Sequence, residues 1–176
     1  YAMLLARSGA TVFFLNPPDD SIREISIRTV DSCTGLRVVS APKVASGLRF
    51  YPGILRCWLE RFWLTRFEKI VGTKIDTIWL FENSRFFDMR FACDRLKIYH
   101  QVDLNQEFNP NMAATTADIC FCTTNIIKEC LLSFNSRVYK IHHGSAEVEN
   151  QKSLTEEQLS RFGRNVPHAA YIGNLD

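Results

Sequence analysis

Between residues 76 and 141 the chain carries four short apolar runs: DTIWLF (76–81), LKIYH (96–100), ICFCT (119–123) and VYKI (138–141). Each is four to six residues long, the length of a strand. Each is nearly continuous in apolar side chains, as strands covered on both faces must be. The intervening stretches 84–93, 106–116 and 125–134 have helical length and pattern. Strands that alternate with helices of about ten residues predict βαβ units on a parallel sheet. The predicted fold class is therefore α/β, a Rossmann-like parallel sheet with helices on both faces.

Working outward, the alternation continues with a short helix at 155–162 and a strand at 169–172. Upstream, residues 54–71 carry Ile54, Leu55, Trp58, Leu59, Phe62, Trp63, Phe67 and Ile70 at spacings of three and four, which predicts a helix. Its apolar arc is broad, and Arg66 projects near the middle, as a snorkelling or paired arginine would. A sharper reading makes the same helix an aromatic and basic surface that rests on an anionic membrane. Residues 22–50 are β-flavoured, with short strands expected at 25–29 and 36–39. Thr11–Leu15 reads as a strand that follows a helix over 2–8 closed by Gly9. A right-handed α/β unit has a strand ahead of its first helix. The order of elements thus leads us to expect such a strand before Tyr1 and a continuation after Asp176, the chain being part of a larger protein.

Composition narrows the class. The 176 residues are 46% hydrophobic and 23% charged, values that exclude a disordered chain. Lys plus Arg number 21 against 19 Asp plus Glu, a net charge of +2, and bulk charge gives no support to nucleic-acid binding. No apolar run approaches the roughly 20 residues of a membrane span, and the start lacks the basic segment and cleavage site of a signal peptide. The six cysteines form no Cys-x-x-Cys pair, so no zinc site is expected, and Cys120 and Cys122 read as small apolar residues on a buried strand. Without secretory features the thiols are expected reduced and the protein cytoplasmic.

In open parallel sheets ligands bind beyond the carboxyl ends of the strands, so the candidates for chemistry lie there. The run at 76–81 delivers Glu82 and Asn83. The run at 96–100 delivers His100, Gln101 and Asp103, that at 119–123 delivers Thr123, Thr124 and Asn125, and that at 138–141 delivers His142, His143, Gly144 and Ser145. Thr123, Thr124 or Asn125 would also cap the following helix. His100 is either a structural histidine or, with Asp103, a catalytic group. Asp103, in a loop just past its strand, could take the proton of an attacking hydroxyl, with Glu107 and Glu82 in reserve.

Several of these segments resemble the N-terminal half of a two-domain GT-B glycosyltransferase of bacterial type. Ala117-Asp118-Ile-Cys-Phe-Cys-Thr123-Thr124 is similar to an "Ala-Asp, apolar strand, Ser/Thr, helix" segment of that class. Val138-Tyr-Lys-Ile-His-His143-Gly144-Ser145-Ala146 is similar to a strand ending "Asn-Gly-Val-Asp", with His143 where Asn is usual and Ser145-Ala146 in place of Val-Asp. Ile98-Tyr-His-Gln-Val-Asp103 is similar to a "Tyr-Asp-x-x-Asp" segment, with His100 replacing its first Asp. The helix ending Leu-Ala-Arg-Ser-Gly9 and the strand ending Asn16-Pro17 look like the second strand unit of such domains. Tyr171-Ile-Gly173-Asn-Leu looks like the first strand and phosphate-loop glycine of the second domain.

The resemblance implies a Rossmann-like glycosyltransferase domain over 1–168, with 169–176 opening a linker or the first strand of a C-terminal domain. It implies transfer from a nucleotide sugar to a glycan or lipid-linked acceptor in cell-surface polysaccharide biosynthesis. The N-terminal domain of that class mainly binds the acceptor. The implied site is Asp103 and His100 as catalytic groups, with Glu82, Asn83, Gln101, Thr123, Thr124, His143, Gly144 and Gly173 against substrate. No carboxylate pair with Asp-x-Asp spacing sits at a strand end, so no metal and no cofactor are expected beyond the nucleotide-sugar substrate. The helix at 54–71 would place the protein peripherally at the inner face of the membrane. Two other classes stay open. A Rossmann oxidoreductase would need a Gly-x-Gly-x-x-Gly, which does not occur in the 176 residues. A non-enzymatic interaction module would use the aromatic face of 54–71.

Overall fold

The computed structural model describes residues 1–17, 19, 21–81, 86–104 and 109–141. All of them fall within one compact unit, Tyr1–Gly144. Helix α1 (Ala2–Arg7) leads into strand β1 (Val12–Leu15). Strands β2 (Ser26–Val30) and β3 (Cys33–Ser40) follow, and then the long helix α2 (Gly53–Val71). Then come β4 (Thr77–Leu80) and β5 (Leu96–Gln101), after which helices and strands alternate: α3 (Pro110–Thr116), β6 (Ile119–Cys122), α4 (Asn125–Leu132) and β7 (Val138–Lys140).

The four apolar runs between residues 76 and 141 lie side by side in the order β4-β5-β6-β7, every neighbour parallel. This is a Rossmann-like α/β sheet flanked by helices. Its register puts Tyr99, Cys120 and Val138 on one face, where α3 and α4 cover them with Ala113, Ala114, Ile127 and Leu131. The other face carries Trp79, Phe81, His100, Phe121 and Tyr139 as a ladder of rings, with Tyr1 at the head of α1 packed on Trp79, Phe81 and His100.

Strand β1 does not pair with this sheet. It runs parallel to β3, which pairs antiparallel with β2, in a separate three-stranded sheet. Alternation along β3 explains the arrangement: Leu36 packs toward Ala6 of α1, whereas Val39 enters the main core with Leu64, Phe67 and Tyr99. At Gly35 a Cβ would stand 3.0 Å from the Ala10 carbonyl and 3.1 Å from that of Ala6, so α1 closes on β3 only where a side chain is missing.

Some boundaries differ from the sequence expectation. The helix expected over 84–93 is, in its described part, a single 3₁₀ turn at Met89–Ala92. The Asp88 carboxylate caps it by accepting the Arg90 N–H. The helix expected from 106 starts at Pro110, whose fixed φ suits a first helical position, after Asn109 in the left-handed region (φ 45°). The predicted elements at 155–162 and 169–172, and the domain boundary at 168/169, lie outside the described residues.

Helix α2 has the expected span, and its orientation departs from the packed-helix reading while agreeing with the alternative of an exposed aromatic and basic face. The helix turns Arg56, Glu60, Leu64 and Phe67 inward and leaves Ile54, Trp58 and Phe62 exposed. The arginine expected in a protected place, Arg66, is exposed, and Arg56 takes that place instead. Gly72 ends the helix at φ 71°, donating to the Glu68 carbonyl at 3.0 Å. The Glu68 carboxylate accepts from the Ile75 N–H (2.9 Å) and from Arg95 (2.7 Å), which ties the end of α2 to the chain entering both β4 and β5.

Candidate functional site

The polar residues predicted at the carboxyl edge of the sheet are brought together from two adjacent strands. Gln101 is opposite Cys122 in the β5–β6 register, so the residues after them leave the sheet as neighbours. The Thr123 hydroxyl donates to the Val102 carbonyl at 2.7 Å and locks the two strand ends to each other. The Gln101 amide, itself buried, donates to the Asp103 carbonyl at 2.9 Å and folds residues 101–103 back on the strand. With its carbonyl held in this way, Asp103 presents its carboxylate to solvent, where it makes no hydrogen bond or ion pair among the described residues.

Thr124 fills the capping role. It is extended (φ −125°, ψ 160°), and its hydroxyl accepts the Ile127 N–H at 3.2 Å. Replacing Thr124 by Ala is expected to cost about 1 kcal/mol, the usual worth of such a cap, measurable as a lower urea midpoint. An unchanged midpoint would show that the cap contributes nothing.

His100 is placed differently from Asp103. Neighbouring strand residues point to opposite faces, and the imidazole enters the ring ladder, 4.8 Å from Phe81 and 5.4 Å from Tyr1 between ring centres, with no exposed surface. It packs β5 within the sheet, and of the two predicted catalytic residues only Asp103 faces solvent. Glu82, Asn83, His143, Gly144, Gly173 and the reserve acid Glu107 lie outside the described residues. Among the described residues no group of three His, Cys, Asp or Glu side chains could hold a metal ion, and no helix is long and apolar enough to cross a membrane.

Asp118 of the Ala-Asp segment lies at the opposite edge. Its carboxylate accepts from the Lys97 N–H (2.8 Å) and ammonium (2.9 Å), joining the starts of β5 and β6. Burial opposes its charge, but those bonds outweigh it and hold the carboxyl below its usual range. Asn135, which sequence reasoning passed over, donates to the Ala114 and Ala117 carbonyls and fastens the entry to β7 onto the end of α3.

A second cluster was not foreseen. Asp88, wholly buried, accepts from Arg56 at 2.7 Å, from Arg90 at 2.8 and 2.6 Å, and from the Cys57 thiol at 3.4 Å. The Arg56 guanidinium also lies 4.1 Å over the Phe87 ring. Burial resists ionisation of Asp88, yet the Arg90 hydrogen bonds and charge hold its carboxyl down at about 2. Glu60 is wholly buried, with its nearest cation, Arg56, at 4.0 Å and neither oxygen hydrogen-bonded. Desolvation pushes its carboxyl up to about 8 against the pull of Arg56, so it is largely protonated at neutral pH. The Arg56/Glu60 spacing of four was visible in the sequence. The partner 32 residues away was not.

Compared with known proteins, the chain matches no family model and no curated protein.

Proposed function

We propose that this chain is the acceptor-binding half of a glycosyltransferase that moves a sugar from a nucleotide sugar to an acceptor hydroxyl in cell-surface glycan synthesis. The observation that carries the reading is the edge beyond β5 and β6, where the Thr123–Val102 bond holds two polar strand ends together and Asp103 offers an unengaged carboxylate. The segment around Asp103 is also one of those that resemble the GT-B class.

In this reading Asp103 takes the proton of the acceptor hydroxyl as its oxygen attacks the anomeric carbon. The new carbon–oxygen bond forms as the bond to the nucleoside diphosphate breaks, and the diphosphate leaves with the electron pair. A base on the acceptor side implies inversion at that carbon. Thr123 and Gln101 act as positioning residues: their side chains fix Val102 and Asp103 by two carbonyls, so the carboxylate is oriented before substrate arrives.

Asp103→Asn in the full-length protein is expected to lower kcat for sugar transfer by about 10²-fold or more, the worth of a general base. Near-normal turnover removes the assignment of Asp103. Absence of transfer from every nucleotide sugar tried removes the reading itself and favours a non-enzymatic interaction module. That second reading draws on the exposed rings of α2 and expects no nucleotide-sugar affinity.

A further inference from the structure

Helix α2 faces the wrong way for a soluble surface helix. Such a helix normally buries its large apolar side chains and shows its charges to water. Here the inward stripe at spacings of four and three is Arg56, Glu60, Leu64 and Phe67. Turned outward are Ile54 (90% exposed), Trp58 (61%) and Phe62 (61%), with Phe50 (78%) just ahead of the helix. The Trp58 and Phe62 rings stack at 6.1 Å and 18°, forming one flat apolar ridge.

The charges on this helix are sorted by sign. Glu60 is buried, and Glu68 is turned to Arg95 and the Ile75 N–H. Arg61, Arg66 and Lys69 are exposed. Arg49 is exposed as well, its guanidinium 4.8 Å over the Phe50 ring. The outward face of α2 therefore combines large rings with positive charge and carries no exposed acid.

We propose that this face docks on an anionic lipid surface, with Trp58, Phe62, Ile54 and Phe50 entering the interfacial layer and Arg61, Arg66, Lys69 and Arg49 meeting acidic headgroups. Aromatic rings flanked by cations are the combination that settles at the boundary between headgroups and acyl chains. Charge complementarity selects this occupant over a second copy of the chain. A two-fold contact through the ridge would bring Arg61 and Arg66 against the same cations of the partner. The proposal stands on α2 and the turn just ahead of it and is independent of the glycosyl-transfer reading.

The test is co-sedimentation of the 176-residue chain with vesicles of phosphatidylcholine, with or without one quarter phosphatidylglycerol. Binding is expected to the anionic vesicles and to be at least about tenfold weaker on neutral ones. The double variant Trp58→Ser/Phe62→Ser is expected to lose binding at any lipid charge. Arg61→Glu/Arg66→Glu is expected to lose about tenfold or more on anionic vesicles only. All four side chains are exposed, so both variants are expected to keep the circular dichroism and urea midpoint of the parent. Tryptophan emission is expected to shift to the blue on binding, and Trp58→Phe is expected to abolish the shift while sedimentation persists, since Trp63 and Trp79 are half-buried. Failure of the folded chain to sediment with anionic vesicles overturns the proposal. So does binding that survives Trp58→Ser/Phe62→Ser, or a dimer that this variant dissolves.

Discussion

Asp88→Ala is expected to destabilise the fold by about 3–5 kcal/mol, the cost of removing one partner of a buried ion pair. The reason lies with the groups left behind. Arg56 is buried, and without Asp88 the nearest acidic group is Glu60 at 4.0 Å, which burial holds largely protonated at neutral pH. The same carboxylate caps the 3₁₀ turn through the Arg90 N–H, so the turn entering the chain before β5 loses its cap as well. Arg90 is largely exposed and regains water, so it contributes less to the loss.

The pH dependence gives a second reading of the same residue. The folded-state carboxyl is held at about 2, below the value of 3.8 for an ordinary aspartate, so its contribution is complete above about 4 and fades as the pH falls toward 2. Asp88→Ala is expected to lack that acid limb. Urea unfolding at pH 7 and pH 3 checks both points, and a loss under 1 kcal/mol at pH 7 would contradict the buried-pair account.

Glu60→Gln is expected to act in the opposite direction. The folded-state carboxyl is raised from 4.5 to about 8. Over that window the folded chain holds a proton that the unfolded chain has released. Stability therefore falls as the pH climbs from about 4.5 to about 8. At roughly 1.4 kcal/mol per pH unit, the accumulated loss by pH 7 is about 3 kcal/mol. Gln carries no such proton, so the difference between variant and parent is expected to be flat below pH 4.5 and to swing toward the variant with rising pH. Parallel stability curves from pH 5 to pH 8 would contradict it.

The two substitutions are not independent. With Asp88 gone, an ionised Glu60 is the nearest anion left for Arg56, so Glu60→Gln is expected to become destabilising in the Asp88→Ala background. That sign reversal in a double-mutant cycle marks a shared network rather than two local defects.

The sheet was readable because its evidence is local. DTIWLF, LKIYH, ICFCT and VYKI are each apolar almost throughout, and helix-length segments separate them, so strand identity and parallel order follow from the pattern. A cap at the start of α4 was readable for the same reason, since every helix start needs one, but not which of Thr123, Thr124 and Asn125 supplies it. Helix α2 was not. Its periodicity states that Trp58, Phe62, Trp63, Phe67 and Ile70 fall at spacings of three and four, but not on which side the rest of the protein lies. Arg56 and Glu60 could be recognised as inward only once Asp88 was known to meet them from 32 residues away. The pattern offers His100 and Asp103 together because both come at the end of one apolar run, but β5 extends to Gln101, so His100 is buried within the strand while Asp103 lies past its end and is exposed. The pairing of β1 with β3 was equally out of reach, because a four-residue strand carries no mark of its neighbour.

The proposal that an acceptor binds beyond β5 and β6 is tested most directly by ¹H–¹⁵N spectra of the 176-residue chain, titrated with a panel of oligosaccharide acceptors and nucleotide sugars. The expected result is a saturable shift of the backbone amides of Gln101–Leu104 and Thr123–Asn125, weakened by Asp103→Asn. Shifts confined to α2 or to the Lys97–Asp118 edge, or no shift with any of these sugars, would contradict it.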